Sequence, residues 1–213
     1  PLDLFPAAGI RFIAVRHEQS AAHMADGFAR VTGRASMATG QNGPGITNMV
    51  TSVAAAYHAH SPLILLTPSV MTGGRGLHGF QEVEQIPIFS TVTKFQIQVN
   101  RPDRIAEAFR TAIRAAYAER GPVQIDVPRD YFYTEADYTI LEPEQYRVSA
   151  RGAGDEALLD EAAAALMAAK NPAIIAGLGV TETAAYDVVS RLAQQLGAPV
   201  ANSGSALDFS MSS

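Results

Sequence analysis

The 213-residue chain has no cysteine, which excludes disulfides and thiolate metal sites and favours a reducing compartment. It is also poor in charge, at 17%, and 16 Lys and Arg against 21 Asp and Glu leave a net charge of -5. An acidic chain without a basic face argues against nucleic acid as a partner. No apolar run approaches the roughly 20 residues of a membrane span, and no secretory signal is visible. These absences together predict a cytoplasmic protein that does not enter a membrane. What is present is a 47% hydrophobic content, enough for a globular core. A length of 213 residues fits one to two domains of about 100–200 residues each.

The most informative stretch runs from Ile10 to Asn48. Ile10 to Val15 reads as a short apolar strand that leads through Arg16-His17-Glu18-Gln19 into a helix from about Ser20 to Thr32. Gly33 ends that helix, and Ser36 to Gly40 reads as a second strand. The turn Gln41-Asn42-Gly43-Pro44-Gly45 then opens another helix near Ile46. This pattern places Glu18 at the carboxyl end of a strand, where open α/β sheets bind ligands. Beside it stands a glycine turn that permits close backbone approach. Partial dehydration there is expected to raise the pKa of Glu18 and suit it to an acid-base relay. The residues alone also allow, and taken by themselves favour, an N-terminal acid that only complements the helix dipole.

Further on, Met49, Val50, Val53, Ala54 and Tyr57 form a helical stripe that ends before Pro62, where a helix cannot continue. His58 and His60, two residues apart, do not face each other on a helix, so no metal is assigned to them. Leu63 to Thr67 reads as a buried parallel strand. Pro68 to Phe89, with Gly73, Gly74, Gly76 and Gly79, reads as a long mobile loop of the kind that carries function. Val92 to Val99 is a predicted strand. Asn100 and Pro102 are expected to open a helix whose buried stripe includes Ile105, Ala108, Ala112 and Ala116. Val123 to Val127 makes another strand. From Gly154 the alternation begins again, with helices 155–169 and 182–196 and strands 172–176 and 198–202. Gly177-Leu178-Gly179 hints at a dinucleotide turn, but Glu182 stands where the third glycine belongs.

Three motifs in register resemble the thiamine-diphosphate enzymes. They are His17-Glu18-Gln19-Ser20-Ala21-Ala22-His23-Met24-Ala25-Asp26-Gly27-Phe28-Ala29-Arg30, Gln41-Asn42-Gly43-Pro44-Gly45-Ile46-Thr47-Asn48 and Gly79-Phe80-Gln81-Glu82-Val83-Glu84-Gln85. The resemblance is to the acetolactate synthase branch, and the third motif is most similar to its sulfoacetaldehyde acetyltransferases. It implies an α/β fold. Residues 1–131 would form a three-layer pyrimidine-binding domain with a parallel sheet, lacking its first strand and helix. Residues 132–153 would be a linker, and 154–213 the start of a Rossmann-like central domain.

The resemblance also implies thiamine diphosphate as cofactor, its aminopyrimidine lying against Glu18, Pro44, Asn48 and Gln81, with Glu18 the catalytic acid-base group. Phe80 and Gln81 would face the substrate, with Arg75 and His78 as candidates for holding a sulfonate. The implied reaction converts sulfoacetaldehyde and phosphate to acetyl phosphate and sulfite. An acetolactate synthase would act on 2-keto acids instead. The diphosphate and its Mg2+ would sit on a further domain, because Gly154-Asp155-Glu156 departs from the family's Gly-Asp-Gly motif. The resemblance further implies a homodimer or homotetramer, and a 213-residue piece that is inert by itself. A non-catalytic nucleotide-binding module built on Gly177-Leu178-Gly179 is the alternative of another class.

Overall fold

A computed structural model describes residues 4–147 and 152–203. The chain divides into two compact units, Pro1–Ser149 and Ala150–Ser213.

The first unit is built on four parallel strands: β1 (Ser36–Thr39), β2 (Leu63–Ser69), β3 (Phe95–Gln98) and β4 (Val123–Pro128). They lie in the order β1-β2-β4-β3. Its helices are α1 (Glu18–Thr32), α2 (Pro44–Thr47), α3 (Val50–His58), α4 (Gln85–Phe89), α5 (Ile105–Ala118) and the short α6 (Pro143–Tyr146). The buried run of β2 explains why there are layers on both faces. Leu63 and Leu65 join Ala22, Ile46, Met49, Val53, Ala56 and Phe89 in one core. Ile64 and Leu66 point the other way and join Ala108, Ala112 and Ala116 of α5 with Val123, Ile125 and Val127 of β4. Successive side chains of a strand face opposite sides, so an uninterrupted apolar run requires a helical layer on each. This is a three-layer α/β fold.

Several local features follow from single residues. Gly33 adopts a left-handed conformation, φ 67°, and its N–H donates to the Ala29 carbonyl at 2.8 Å, closing α1; glycine takes that backbone conformation without the strain that a side chain brings. Ser52 Oγ in α3 donates to the Gln19 carbonyl at 2.8 Å, tying α3 to the first turn of α1.

The predicted strand Ile10 to Val15 does not form. Those residues have no ladder among the described residues, and Ile10, Phe12 and Ile13 are exposed. An apolar run becomes a strand only where a neighbouring strand supplies hydrogen-bond partners, and none of the described strands pairs with it. Glu18 is therefore the first residue of α1 rather than the tip of a strand. In contrast, β2 continues two residues past its expected end. Pro68 and Ser69 pair in register with Val127 and Pro128. Asn100 does not cap the following helix: a 3-10 turn at Pro102–Arg104 comes first, its cap position taken by Arg101, and the Asn100 carbonyl instead accepts from Tyr131 Oη at 2.9 Å.

The second unit contains α7 (Glu156–Ala168), β5 (Ile174–Ala176), α8 (Leu178–Thr183), α9 (Tyr186–Leu196) and β6 (Val200–Asn202). β5 and β6 are parallel, with Ile174 opposite Val200, and α8 and α9 lie between them in the chain. Asp155 caps α7, its carboxylate accepting from the Leu158 N–H at 3.2 Å. The helix expected over 182–196 is divided in two because Ala184 adopts a left-handed conformation, φ 52°. That single residue turns the chain between α8 and α9. No helix among the described residues is long and apolar enough to cross a membrane.

Candidate functional site

The residues of interest gather at the carboxyl end of β1. His17 is in extended conformation, and its Nδ1 accepts from the Gln19 N–H at 3.2 Å, so α1 begins at Glu18. After β1 the chain passes through Gly40 to Gly45 into α2, whose first residue is Pro44. Asn48 follows α2, and its Nδ2 donates to Glu18 Oε2 at 3.1 Å. A Cβ at Gly40 would lie 3.1 Å from the Glu18 Cγ, and one at Gly45 would lie 3.2 Å from Glu18 Oε1. The two glycines therefore leave the space that the Glu18 side chain occupies.

Glu18 differs from expectation in its acidity. Its pKa is lowered, not raised. The Asn48 amide is the main cause, followed by Glu18's own backbone N–H; these and the nearby His17 outweigh the opposing effect of burial. Donors aimed at a carboxylate favour its charged form. Glu18 is thus an anion at neutral pH, with Oε2 engaged by Asn48 and Oε1 turned toward Gly45.

Gln81 comes to the same place from the loop that follows β2. Its backbone is left-handed, φ 61°, an uncommon conformation for a residue with a side chain. Its carbonyl accepts from Asn42 Nδ2 at 3.1 Å and packs directly on Gly43, where a Cβ would collide with it. Gln81 Oε1 is buried and without a hydrogen-bond partner. Buried polar atoms of this kind are rare and call for an explanation. Glu18, Asn48, Pro44 and Gln81 thus surround one glycine turn.

The other predicted residues are placed differently. Phe80 is 88% exposed. His78 is exposed with φ 54°. Arg75 turns toward the sheet, with Nη1 donating to Gln98 Oε1 at 2.7 Å and Nη2 lying 3.9 Å from Asp126 Oδ1. The loop they occupy was expected to be mobile, yet it is pinned at several points. Glu82 accepts from the N–H groups of Gly76 and Gly79 at 2.6 and 3.0 Å. Thr72 donates to Asp130 through both its N–H and its hydroxyl, at 3.0 and 2.6 Å.

Four residues that the sequence did not single out, Gln85, Asp126, Thr67 and Gln98, lie beneath the site. Gln85 Oε1 accepts from the Gly43 N–H at 3.1 Å, and its Nε2 donates to Asp126 Oδ2 at 2.9 Å. Asp126 also accepts from Thr67 Oγ1 at 3.0 Å and from Gln98 Nε2 at 2.9 Å. The signal was there: Gln96-Ile97-Gln98 and Gln124-Ile125-Asp126 both alternate. Such alternation reads as a wet face until the two strands prove to be neighbours, with Gln98 opposite Asp126.

Comparison with known proteins identifies the family. A model of the thiamine pyrophosphate enzyme N-terminal TPP binding domain matches residues 1–88, and a model of the central domain of the same enzymes matches residues 159–211. The chain belongs to the thiamine pyrophosphate enzyme family. It is 52% identical over 200 residues to a sulfoacetaldehyde acetyltransferase of Alcaligenes xylosoxydans xylosoxydans, covering 94% of this chain and 33% of that one. It is 50% identical over 202 residues to a sulfoacetaldehyde acetyltransferase of Castellaniella defragrans, covering 95% of this chain and 33% of that one. Similarity extends to an acetolactate synthase large subunit of Buchnera aphidicola, 32% identical over 210 residues and covering 95% and 37% of the two chains. The chain thus spans about a third of the length of these curated relatives. An X-ray structure of a Mycobacterium smegmatis protein, assigned as a thiamin diphosphate-dependent enzyme, superposes with a TM-score of 0.81 at 29% identity, covering 92% of this chain and 37% of that one.

The residues of this thiamine pyrophosphate enzyme chain suit an aminopyrimidine. A flat heteroaromatic ring with an amine needs a carboxylate partner and a further acceptor. Glu18 offers the first and the unpartnered Gln81 Oε1 the second, while Gly40 and Gly45 make room for the Glu18 side chain.

Proposed function

We propose that this chain is part of a thiamine-diphosphate-dependent sulfoacetaldehyde acetyltransferase, which converts sulfoacetaldehyde and phosphate to acetyl phosphate and sulfite. The observation that carries the reading is the Glu18 carboxylate, held by Asn48 at 3.1 Å in the space that Gly40 and Gly45 leave open. The names of the most similar relatives support the substrate. In this reading residues 1–131 are the pyrimidine-binding domain, 132–153 a linker and 154–213 the start of the central domain. Matches at 1–88 and 159–211 support that division.

Glu18 Oε1 would accept a hydrogen bond from the pyrimidine ring N–H and would hold that proton. Asn48 keeps Oε2 occupied, so only one oxygen is offered. Pro44 and Gln81 would border the ring, and Gln81 Oε1 would accept a hydrogen bond from its amine. The bound cofactor supplies carbanion stabilisation, and the protein supplies orientation and proton control. Phe80, Gln81, Arg75 and His78 are the proposed substrate contacts. Arg75 would exchange Gln98 for a sulfonate oxygen when substrate arrives. The diphosphate and its Mg2+ are proposed to be held by a further domain of the whole protein, which works as a cytoplasmic homodimer or homotetramer.

An assay of the full-length protein decides the substrate. Sulfite release from sulfoacetaldehyde that depends on phosphate is the expected result. Turnover of pyruvate with a second 2-keto acid, and none of sulfoacetaldehyde, would establish an acetolactate synthase instead. In the same protein Glu18→Gln is expected to lower kcat by at least about 100-fold, the order of a lost acid-base group, with an unchanged circular dichroism spectrum. Full activity in Glu18→Gln would remove Glu18 from the chemistry.

A further inference from the structure

We infer that Gln85 is a positioning residue of this site, holding the glycine turn against Glu18 from below. The inference rests on the reading that Glu18 and the turn receive the pyrimidine.

Gln85 is only 3% exposed, and all of its carboxamide is used. Oε1 accepts from the Gly43 N–H at 3.1 Å, while Nε2 donates to the Pro68 carbonyl and to Asp126 Oδ2, both at 2.9 Å. A flipped amide would set Nε2 against an N–H and Oε1 against two acceptors, so only one orientation fits. Gly43 is the residue on which the Gln81 carbonyl rests, and Gly45, two residues on, faces Glu18 Oε1. The Gly43 N–H is therefore the point from which both walls of the site are set.

The anchor on the far side is strong. Asp126 is 1% exposed and takes Gln85, Thr67 and Gln98 as donors, with Arg75 of the loop 3.9 Å away. Gln124 Nε2 adds a longer contact to the Gln85 carbonyl at 3.4 Å. Gln85 thus bridges β2 and β4 to the glycine turn. A fully satisfied buried polar network fixes one arrangement. A hydrophobic residue of the same size at position 85 would fill the space and leave the Gly43 N–H unpaired.

The test uses the full-length protein with two variants. Gln85→Met keeps volume and removes all three hydrogen bonds. Amide exchange over residues 41–48 is expected to quicken by about tenfold, the order of a lost hydrogen bond, while exchange in β2 and β4 stays as in the wild type. Titration with thiamine diphosphate and Mg2+ is expected to show about tenfold weaker binding.

Gln85→Glu adds a readout that simple loss of packing would not give. When protonated, the introduced carboxyl group donates to Asp126 and accepts from Gly43, as the amide does. When ionised, it meets the Asp126 carboxylate, with Glu82, Glu84 and Arg75 as the other charged groups around the recess. Like charge and burial both raise the pKa of the introduced acid. Affinity in Gln85→Glu is therefore expected to approach wild type near about pH 5.5 and to fall about tenfold by about pH 8, relative to the wild-type profile. Should Gln85→Met fail to fold, this series decides alone.

Wild-type exchange over 41–48 and wild-type affinity in Gln85→Met, or a Gln85→Glu profile parallel to wild type, would overturn the inference. Failure of the wild-type protein to bind thiamine diphosphate would instead overturn the proposed function. The exchange measurement would still report on Gln85 in that case.

Discussion

Gly43 carries more constraint than any other residue of the site. Its φ of 73° is one that side-chain-bearing residues adopt rarely, its N–H is held by Gln85, and the Gln81 carbonyl occupies the place of a Cβ. Gly43→Ala is therefore expected to destabilise the protein by about 1–3 kcal/mol through backbone strain, with a further loss from displacing Gln81. A urea unfolding midpoint measures the first effect, and a thiamine diphosphate titration of the full-length protein measures the second. Gly33, also left-handed at φ 67°, provides a control. No atom lies within 4 Å of where its Cβ would be, so Gly33→Ala should cost stability without touching the cofactor. Glu18 itself illustrates what a sequence conceals. Its candidacy was legible, but neither its place as the first residue of α1 nor the direction of its pKa was. The direction depends on Asn48, 30 residues away, which donates to it across the turn.

Among the elements, the loop between β2 and α4 departs furthest from its sequence. Four glycines suggest mobility, yet three carboxylates hold it: Glu82, Asp130 and Asp126. The pKa of Glu82 is lowered by the Gly76 N–H first and the Gly79 N–H second. At Asp130 burial pushes upward but is outweighed by the hydroxyl and N–H of Thr72, so its pKa is also lowered. Both groups have folded-state values below their unfolded ones. Their contribution is therefore complete above the ordinary carboxylate range and is lost as pH falls through the lowered values. Acidification from about pH 6 to about pH 3 is expected to release residues 72–82 before the sheet unfolds. Amide exchange of that segment, compared with β2 and β4 and corrected for the intrinsic effect of pH, checks it. Protection that persists in acid would mean that Arg75 and Asp126 hold the loop alone. The same logic explains Ile10 to Val15. Composition made a strand of it, and the lack of a pairing neighbour among the described residues left it without regular structure and largely exposed.

For the molecule as a whole, α1 links the site to the surface. Glu18 heads the helix, Ala22, Ala25 and Ala29 face the core, and Met24, Phe28 and Val31 are exposed at 48, 42 and 87%. Those three stand at spacings of four and three, one stripe along the helix. If the whole protein assembles as the proposed homodimer or homotetramer through this stripe, Phe28→Glu is expected to lower its sedimenting mass at micromolar concentration. An unchanged mass would move the interface elsewhere.

Much of the fold was determined by the sequence alone. The apolar runs, the stripe of alanines in α5 and the stops at Gly33 and Pro62 specify parallel strands covered by helices, because period and burial are properties of neighbouring residues. The three motifs likewise announced Glu18, Asn48 and Gln81 together. Only the tertiary structure decided which oxygen of Glu18 is engaged, why Gly43 must be glycine, and that Gln124 of β4 is buried while Gln96 and Gln98 of β3, half-buried, bond across to Gln124 and Asp126. Each of those depends on a donor or a wall brought from a distant part of the chain, and hydrogen bonds between segments leave no period in either one.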